Sequence, residues 1–368
     1  MEQERAYWLA WSQISGIGAV SLKKIYQHFG SLEAAWAAKA IAFAEVEGLG
    51  SKASIAIGKG RSKIDPQTLI MQHQQQNPLF WTPSDNNYPR LLIETPSPPP
   101  LLYYLGKVEP AENQGITPMI GIVGTRNPTD YGNRWAKEIT QALVNHGFGI
   151  VSGMAEGIDT VAHLSCLEAK GRTIAVLGTG VDTIYPYSNR SLHKRLQQDG
   201  LIMSEYSSGT KPDRGHFPAR NRIIAGLCRG VIIIEAPKRS GALITARYAN
   251  DFCRDVYVLP GSLDSSQSLG CLALLNSGAH VILGIEHLLE MLGTMPCLDR
   301  IAAPVKTTPK LDPKLEEIYL LIGQESIALD TIGSQTGKSI GEVLATLSEL
   351  ELMDLIVQLP GMRYQLKN

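Results

Sequence analysis

The sequence predicts an α/β protein whose centre is a doubly wound, mostly parallel β-sheet, with a smaller module at each end. Three observations support this prediction. Short apolar runs alternate with amphipathic helical patterns through the middle of the chain. Glycine-rich turns separate helical patterns near the start of the chain. Three helical patterns followed by two short strands lie near its end.

The strands of the central sheet are predicted from seven apolar, β-rich runs, at residues 119–123, 148–151, 173–177, 201–204, 231–234, 256–259 and 280–283. Amphipathic stretches such as NRWAKEITQALVNHG separate most of them. Parallel strands joined by helical crossovers form an extended Rossmann-like sheet, and ligands bind at the carboxyl ends of its strands. A proline-rich stretch at residues 96–100 is interpreted as a stiff connection before this sheet.

The N-terminal residues 1–75 are predicted to form a helical domain of the helix-hairpin-helix (SAM-like) kind. The segments ISGIGAVSLKKIYQHFG and VEGLGSKASIAIGKG each place two glycines before a helical pattern. Such a turn can bring backbone amides close to a DNA phosphate. The alternative is a small helical bundle in which these glycines only form turns. Residues 1–65 carry eight basic and six acidic side chains, a balance that slightly favours the bundle.

The C-terminal residues 314–368 are predicted to form a winged-helix domain, joined to the sheet domain (residues 76–293) by a linker at 294–313. A winged helix usually places its third helix in the DNA major groove. Here residues 310–368 carry five basic and nine acidic side chains, a net charge of −4, which would repel a duplex. We therefore expect this domain to bind a partner or to be structural.

Composition restricts the classes of function. Lysine and arginine number 34 and aspartate and glutamate 35, so a nucleic-acid site must be a local basic patch. The five cysteines form no C-x-x-C pair, and neither a zinc site nor a disulfide framework is predicted. We expect no cofactor and no metal.

The first residues do not have the pattern of a signal peptide, and no apolar run reaches the ~18 residues of a membrane span. The expected location is the cytoplasm.

Two of the predicted strands end in loops with exposed backbone amides. The first loop is Gly124-Thr125-Arg126. The second contains Ser152-Gly153, and Asp159 is expected to cap the helix that follows. Small residues at a helix entrance expose N–H groups that bind anions. Arg126 stands where a dinucleotide site of the G-x-G-x-x-G type needs bare glycine backbone, so a nicotinamide or flavin site is not predicted.

Two further loops add charge and aromatic surface. The segment FPARNRIIAGL places Arg220, Asn221 and Arg222 at the expected start of a helix, and Ser240-Gly241 forms another helix entrance. Each arginine alone is more often a surface ion pair. Three arginines converging on strand-end loops suit oxyanions held by charge and forked hydrogen bonds. The sequence therefore predicts that phosphodiesters of a nucleic-acid strand bind here, with Arg126 as an anchor.

Aromatic side chains beside these loops fit the same interpretation, since unpaired bases stack on such rings. They are Tyr131, Tyr185, Tyr187, Tyr206 and Phe217. For most of them packing under long loops is the better interpretation, and Tyr187 is the most exposed candidate.

Few sequence patterns indicate catalysis. No zinc-protease, P-loop or nucleophile-elbow motif occurs. His163 lies inside a helical pattern and is interpreted as structural. Glu235, at a strand end, is interpreted as a group that faces a ribose, acts as a base or caps the loop before Ser240.

Taken together, these segments resemble the DNA processing protein A family (DprA, also called Smf). The resemblance runs in order from about residue 88 to 292. It rests on the segments GIVGTRNPTDYG, VSGMAEGIDTVAH, AVLGTGVDTIYPYSN, FPARNRIIAGL, EAPKRSGALITARYA, RDVYVLPG and SLGCLALLNSGA. It implies a Rossmann-like domain that forms a homodimer and binds single-stranded DNA without sequence preference. It also implies that this strand is protected and handed to the RecA recombinase during natural transformation.

The resemblance also implies site residues. Arg126 would be the main phosphate anchor, Ser152 and Gly153 would line the pocket, and the 220–222 segment would complete it. Many members carry a basic residue where this chain has Tyr187, which puts one phosphate contact in doubt. The predicted nucleic-acid-binding residues are Gly124, Thr125, Arg126, Ser152, Gly153, Tyr187, Arg220, Asn221, Arg222, Ser240, Gly241 and Thr245.

The rival hypothesis is a nucleotide-processing enzyme. Phosphoribohydrolases of related Rossmann-like fold carry Gly-Gly-x-Gly-Thr followed by a glutamate. This chain has the segment SGALIT at 240–245, with no glutamate following in the helix. The sequence therefore favours a binding protein over an enzyme.

Overall fold

The structure is a computed structural model that describes residues 2–77, 79–293, 312–322, 327–353, 355–359 and 361–366. Its contacts divide the chain into two compact units, Met1–Leu298 and Asp299–Asn368. The predicted linker at 294–313 lies outside the described residues except for its last two positions. The two units are described separately.

The first unit begins with helices. They are α1 (Glu2–Ser12), α2 (Ala19–Phe29), α3 (Leu32–Ala37), a 3-10 helix (Ala40–Glu45), α4 (Ser51–Arg61) and α5 (Pro66–Gln76). Trp8, Trp11 and Phe43 are buried at the centre of a core that these helices enclose. The opposite side of α1 buries Leu9 in a different core, together with side chains of the sheet. The helices and the sheet therefore share one compact unit.

Both predicted glycine turns precede helices. Gly16 and Gly48 have positive φ angles of 82° and 76°, which side chains rarely adopt. Gly18 and Gly50 are the residues that directly precede α2 and α4, and neither helix has a side-chain cap.

A nine-stranded sheet forms the centre of this unit. Its strands are β1 (Phe80–Trp81), β2 (Leu102–Gly106), β3 (Met119–Val123), β4 (Gly149–Ser152), β5 (Thr173–Leu177), β6 (Leu201–Ser204), β7 (Gly230–Ile233), β8 (Asp255–Val258) and β9 (His280–Val281). The spatial order is β1-β2-β6-β5-β4-β3-β7-β8-β9. The seven strands from β3 to β9 are parallel, and they match the seven predicted runs to within two residues.

Two strands at one edge were not predicted. β2 pairs antiparallel with β6, and β1 pairs antiparallel with β2. The proline-rich stretch 96–100 lies between β1 and β2. Its interpretation as a connection before the sheet is therefore wrong, because it joins two strands of the same sheet.

Helices cover both faces of the sheet. They are α6 (Arg90–Ile93), α7 (Pro110–Asn113), α8 (Asp130–Asn145), α9 (Ile158–Glu168), α10 (Arg190–Asp199), α11 (His216–Leu227), α12 (Gly241–Asp251), α13 (Leu269–Leu275) and α14 (Ile285–Gly293). One apolar core packs the sheet against α11 and α12, and another packs it against α8, α9 and α14. All residues of β3 and β5 are buried, as expected for strands covered on both sides. The doubly wound, Rossmann-like fold is confirmed.

The second unit has winged-helix architecture. It contains α15 (Pro313–Leu321), β10 (Ile327–Ala328), α16 (Leu329–Thr336), α17 (Ile340–Leu352), β11 (Ile356–Leu359) and β12 (Arg363–Leu366). The three strands pair in the order β10-β12-β11. Ile318, Ile332 and Leu347 are buried between the helices. Ser339 and Glu342 form a capping box that begins α17. The three predicted helices and two predicted strands are all present, and β10 is additional.

His163 is fully buried on α9, in agreement with its interpretation as structural. Its Nδ1 atom lies 2.7 Å from the Thr173 hydroxyl, and its Nε2 atom has no hydrogen-bond partner among the described residues. Burial, with a smaller contribution from the Arg220 charge, lowers the pKa of His163 to about 3. The folded protein therefore holds this imidazole neutral at pH values where the unfolded chain protonates it.

The depressed pKa predicts a pH dependence of stability. The pKa of a histidine in an unfolded chain is ~6.5. Below that pH, His163 binds a proton in the unfolded protein but not in the folded protein. Stability is therefore lost as pH falls from about 6.5 toward 3. Between pH 7 and pH 5, wild type should lose about 2 kcal/mol more free energy of unfolding than His163→Asn, which keeps a polar group facing Thr173. Denaturant unfolding followed by tryptophan fluorescence reports this unit, because all five tryptophans lie in it. If the free energies of unfolding of wild type and His163→Asn change in parallel with pH, His163 is not the group responsible.

Gly153, directly after β4, packs against a buried guanidinium. A Cβ atom at this position would lie 2.5 Å from Nη2 and 2.7 Å from Cζ of Arg220. The guanidinium cannot swing away freely, because it donates hydrogen bonds to the carbonyls of Gly153 and Val176. Only glycine fits here without breaking those bonds.

We expect Gly153→Ala to destabilise the fold by about 1–3 kcal/mol, the usual cost of overpacking. The matched control is Gly241→Ala, where a Cβ atom would meet no other atom within 4 Å. Thermal melting of the two variants beside wild type tests this expectation. A melting temperature of Gly153→Ala equal to that of the control would show that the Arg220 side chain relaxes without cost.

Candidate nucleic-acid interface

A cleft of about 630 Å³ opens at the carboxyl ends of β3 and β7, next to the point where the strand order reverses. This is where a doubly wound sheet forms its ligand sites. The loop after β3, the first half of α11 and the entrance to α12 form its walls. The predicted residues that line it are Gly124, Thr125, Arg126, Arg220, Asn221, Ser240, Gly241 and Thr245.

The loop after β3 is rigid at its base. The Thr125 amide donates to the Glu235 carbonyl at 2.7 Å, and the Thr125 carbonyl accepts from the Ile158 amide at 3.2 Å. A Cβ atom on Gly124 would lie 2.7 Å from a side-chain carbon of Ile158. Gly124 is therefore required for close packing between β3 and α9.

Arg126 projects from this rigid base into the cleft. Its side chain is exposed, and no carboxylate lies within ion-pair distance of it in the described part of the chain. Its guanidinium carbon lies 6.0 Å from the centre of the Phe217 ring. Arg126 therefore presents an unneutralised charge at the mouth of the cleft.

Glu235 stabilises the second half of the same loop. Its buried carboxylate accepts hydrogen bonds from the amide and the hydroxyl of Thr129, at 2.9 and 2.5 Å. Thr129 in turn caps α8, since its hydroxyl accepts from the Gly132 amide. The interpretation of Glu235 as a cap for the loop before Ser240 is wrong, and the carboxylate is already occupied in joining β7 to the start of α8.

Arg220 forms the floor of the cleft and is only 4% exposed. Its guanidinium donates to the Gly153 carbonyl at 2.8 Å, to the Val176 carbonyl and to the Asn221 side chain. Burial, followed in size by opposing effects of the Asp159 and Arg126 charges, lowers the pKa of Arg220 to about 10. Arg220 therefore remains a fixed positive charge at neutral pH.

Asp159 lines the cleft beside Arg220 and does not cap α9 as predicted. The residue preceding α9 is Gly157, and the Asp159 carboxylate accepts from the amides of Gly153 and Ala155 at 3.1 and 3.4 Å. Burial raises its pKa, and the charge of Arg220 is the largest effect in the opposite direction. Its role is to hold the loop after β4 in place.

Four predicted residues do not line the cleft: Ser152, Gly153, Tyr187 and Arg222. Gly153 lines a smaller adjoining cavity instead. Ser152 is completely buried, and its hydroxyl donates to the Ile122 carbonyl at 2.6 Å, so it links two strands. Arg222 points away and forms a two-pronged ion pair with Glu205, at 2.7 and 3.2 Å.

The helix start was also predicted in the wrong place. α11 begins at His216, so the 220–222 segment lies in its second turn. The Asn221 backbone amide is therefore inside the helix. Its side chain contributes instead, since it accepts from Arg220 and donates to the Gly241 carbonyl at 3.1 Å. That bridge joins α11 to the entrance of α12.

The entrance of α12 forms the opposite wall. Ser240 caps the helix by accepting from the Ala242 amide at 3.2 Å, and Gly241 is the first helical residue. Thr245 is buried one turn later and lines the cleft.

Sequence reasoning missed two exposed arginines of the lining, Arg214 and Arg239. Arg214 follows Asp213 and Arg239 follows Lys238 in polar loops, where an arginine carries no specific signal. With Arg126 and Arg220 they make four arginines in the lining against one carboxylate, Asp159. The cleft is therefore strongly positive although the chain as a whole has a net charge of −1.

Aromatic rings stand beside this charge. The ring centres of Tyr185 and Phe217 lie 5.3 Å apart. Both side chains line the cleft and a smaller adjoining cavity of about 40 Å³. Tyr206 stacks on His216, and the Tyr131 hydroxyl donates to the Pro260 carbonyl, so these two rings are engaged in packing. Tyr187 lies outside the cleft and is 71% exposed.

Among the described residues, no helix is both long and apolar enough to cross a membrane. In the same ranges, no three or more histidine, cysteine, aspartate or glutamate side chains are grouped so that they could hold a metal ion.

The chain is similar to known proteins of one family. Residues 79–293 match the family described as DNA recombination-mediator protein A, and residues 302–362 match the DprA winged helix domain. The Smf protein of Synechocystis is 51% identical over 98% of both chains. The DNA processing protein DprA of Streptococcus pneumoniae is 44% identical over 54% of this chain and 68% of its own.

Two solved structures are similar as well. The X-ray structure of DprA from Streptococcus pneumoniae has a TM-score of 0.67 at 35% identity and covers 77% of this chain and 97% of that one. A DprA structure from Helicobacter pylori, described as giving insight into its single-stranded DNA binding mode, has a TM-score of 0.52 at 33% identity. It covers 58% of this chain and 95% of that one. On its sequence and its fold, this chain belongs to the DNA recombination-mediator protein A (DprA/Smf) family.

Proposed function

We propose that this chain binds single-stranded DNA without sequence preference through the cleft at the ends of β3 and β7. The observation that carries the proposal is the charge of the lining, four arginines against one carboxylate, on an almost neutral protein. Guanidinium groups bind phosphate oxygens by charge and forked hydrogen bonds. In this proposal Arg126 and Arg220 are the central phosphate contacts, with Arg214 and Arg239 at the margins.

The shape of the cleft favours one strand over two. Arg220 is nearly buried on the floor, so a phosphate reaches it only if the backbone enters the cleft. A single strand bends into such a space, whereas a duplex is stiff. The rings of Tyr185 and Phe217 at the edge provide surfaces on which unpaired bases stack irrespective of sequence. Ser152 and Arg222 take no direct part in this proposal.

The proposed cellular role is argued from family membership. We propose that the protein acts in the cytoplasm as a homodimer, protects incoming single strands during natural transformation and loads the RecA recombinase onto them. The family's description as a recombination mediator supports this role, and so does the reported single-stranded DNA binding mode of the Helicobacter pylori relative. The acidic winged-helix domain is proposed as a partner-binding or structural module.

We do not favour the nucleotide-processing alternative. Asp159 is the one carboxylate of the lining, and its oxygens already accept hydrogen bonds from the loop after β4. A general base must be within reach of the proton it removes. The other charged groups of the lining are four arginines, which suit binding of an anion.

The proposal is tested by measuring affinity for oligothymidylate and for a duplex of equal length over a range of salt concentrations. We expect much tighter binding to the single strand, with a log–log salt slope of about −0.7 per phosphate neutralised. Incubation with nucleoside monophosphates on the same preparation examines the alternative. Salt-independent binding, a preference for duplex or hydrolysis of the nucleotides would overturn the proposal.

Arg126→Ala tests the central anchor. A charged hydrogen bond is worth roughly 1.5–3 kcal/mol, so affinity for the single strand should fall about ten- to a hundredfold. Arg126→Lys should recover only part of the loss, because an ammonium group cannot reproduce the planar fork. The melting temperature should hardly change, since the side chain is exposed and has no ion pair in the described structure.

The matched control is Arg247→Ala. Arg247 is an exposed arginine on α12, outside the lining of the cleft, whose side chain is 83% accessible. A marked fall in the melting temperature of Arg126→Ala with unchanged DNA affinity would show that Arg126 is structural and that the site has been misplaced.

A further inference from the structure

The loop after β6, residues 205–215, brings Arg214 to the wall of the cleft. Lys211, Pro212, Asp213 and Arg214 are exposed one after another. In the described part of the chain, no carboxylate forms an ion pair with Arg214. A stretch this exposed has little packing of its own, so the position of Arg214 depends on how the two ends of the stretch are held.

The end that follows Arg214 is fixed to α11. The Asp213 carboxylate accepts from the Gly215 amide at 2.7 Å, and the Asp213 carbonyl accepts from the His216 amide at 3.1 Å. His216 is the first residue of α11, and its ring stacks on Tyr206 with the ring centres 3.9 Å apart. The chain therefore turns into α11 directly after Arg214.

The end that precedes the exposed stretch is fixed to the loop after β5. The Thr210 carbonyl accepts from the Gly180 amide at 3.0 Å, and the Thr210 amide donates to the Ser207 carbonyl at 3.2 Å. Gly209 has a φ angle of 77°, and its amide donates to both carboxylate oxygens of Asp182, at 2.9 and 3.0 Å. Two neighbouring strand-end loops are thus joined to each other.

A third contact comes from the N-terminal helices. Asn77 directly follows α5 and is only 6% exposed, and its side-chain oxygen accepts from the Ser208 amide at 2.8 Å. The helix itself is held against the sheet, because Ile70 is buried in a core with strand residues and the His73 Nε2 atom lies 2.9 Å from the Tyr103 hydroxyl. A residue of the N-terminal helices therefore fixes a loop whose other end lines the cleft.

These contacts leave Arg214 little freedom. Only residues 211–213 separate it from the fixed Thr210, and the adjoining Gly215 is fixed by Asp213 and α11. A loop that is held in place before binding does not have to be ordered when the ligand arrives, which favours affinity.

We propose that Asn77 and Asp182 are positioning residues that hold the loop after β6 so that Arg214 faces the cleft before DNA arrives. Neither residue lines the cleft. Both act through the loop, and Asn77 makes the N-terminal helices contribute to the affinity for DNA. This inference rests on the proposed function, because Arg214 is one of its phosphate contacts.

Arg214→Ala sets the size of the effect. Its affinity for oligothymidylate should fall about tenfold, the lower end for a charged hydrogen bond. The salt slope should become shallower by about 0.7, because one phosphate contact is lost.

Asn77→Ala removes the acceptor of the Ser208 amide. It should weaken binding about two- to fivefold, because Arg214 must then be ordered when DNA binds. In the Arg214→Ala background the same change should cause no further loss, since both substitutions act through one contact. The matched control is Tyr103→Phe, which removes a polar contact of α5 with β2 and should keep wild-type affinity.

Two variants of Asp182 separate position from charge. Asp182→Ala and Asp182→Asn remove the same negative charge, but only the asparagine keeps an oxygen that can accept from the Gly209 amide. Asp182→Ala should therefore bind about two- to fivefold more weakly than Asp182→Asn. Asp182 is exposed, so both variants should fold even if Asn77→Ala does not.

Affinities are measured below the melting temperature of every variant. The inference is overturned if Asn77→Ala binds like wild type, if its loss adds fully to that of Arg214→Ala, or if the two Asp182 variants bind equally. It also fails, while the proposed function stands, if Arg126→Ala weakens binding and Arg214→Ala does not. If wild type binds no single strand, the proposed function fails and the inference fails with it.

Discussion

The buried guanidinium of Arg220 is the interaction on which the cleft depends. Removing a charge from water costs several kcal/mol unless its hydrogen bonds are satisfied. Here the carbonyls of Gly153 and Val176 accept from it, and the buried carboxylate of Asp159 contributes opposite charge. These contacts tie α11 to the ends of β4 and β5. The loop after β4, the floor of the cleft and the orientation of α11 are therefore determined together.

This arrangement leaves the cleft with a surplus of positive charge, four arginines in its lining against the one carboxylate of Asp159. Arg126 faces the same space, and its charge contributes to lowering the pKa of Arg220. Two cations that repel each other in the free protein gain more from a shared anion than either would alone, because the anion also relieves their repulsion. The Glu235–Thr129 contact and the packing of Gly124 against Ile158 hold the Arg126 loop in place without filling the cleft. The fold thus holds the residues of the proposed phosphate site in place before any ligand is bound.

Much of this could be predicted from the sequence, and the failures share a cause. The seven parallel strands were recognisable because buried strands need continuous apolar runs, and the loops after them were recognisable because glycine and arginine interrupt those runs. The sequence did not show which side chains of a loop face the cleft. Ser152 turned inward to bond the neighbouring strand, and Arg222 turned to Glu205. Both outcomes depend on partners that are distant in the sequence.

The sequence by itself determined the fold class, the family and the edge of the sheet where the candidate site lies, because apolar periodicity and strand-end glycines are local properties of the chain. The tertiary structure alone decided which cations share one space. Arg214 and Arg239 come from separate loops of ordinary composition, and they join Arg126 and Arg220 only when α11 and α12 pack on the sheet. It also decided that Arg220 is buried and Arg126 exposed. Charge alone does not distinguish these two arginines, because burial is set by the carbonyls and helices that surround each side chain after folding.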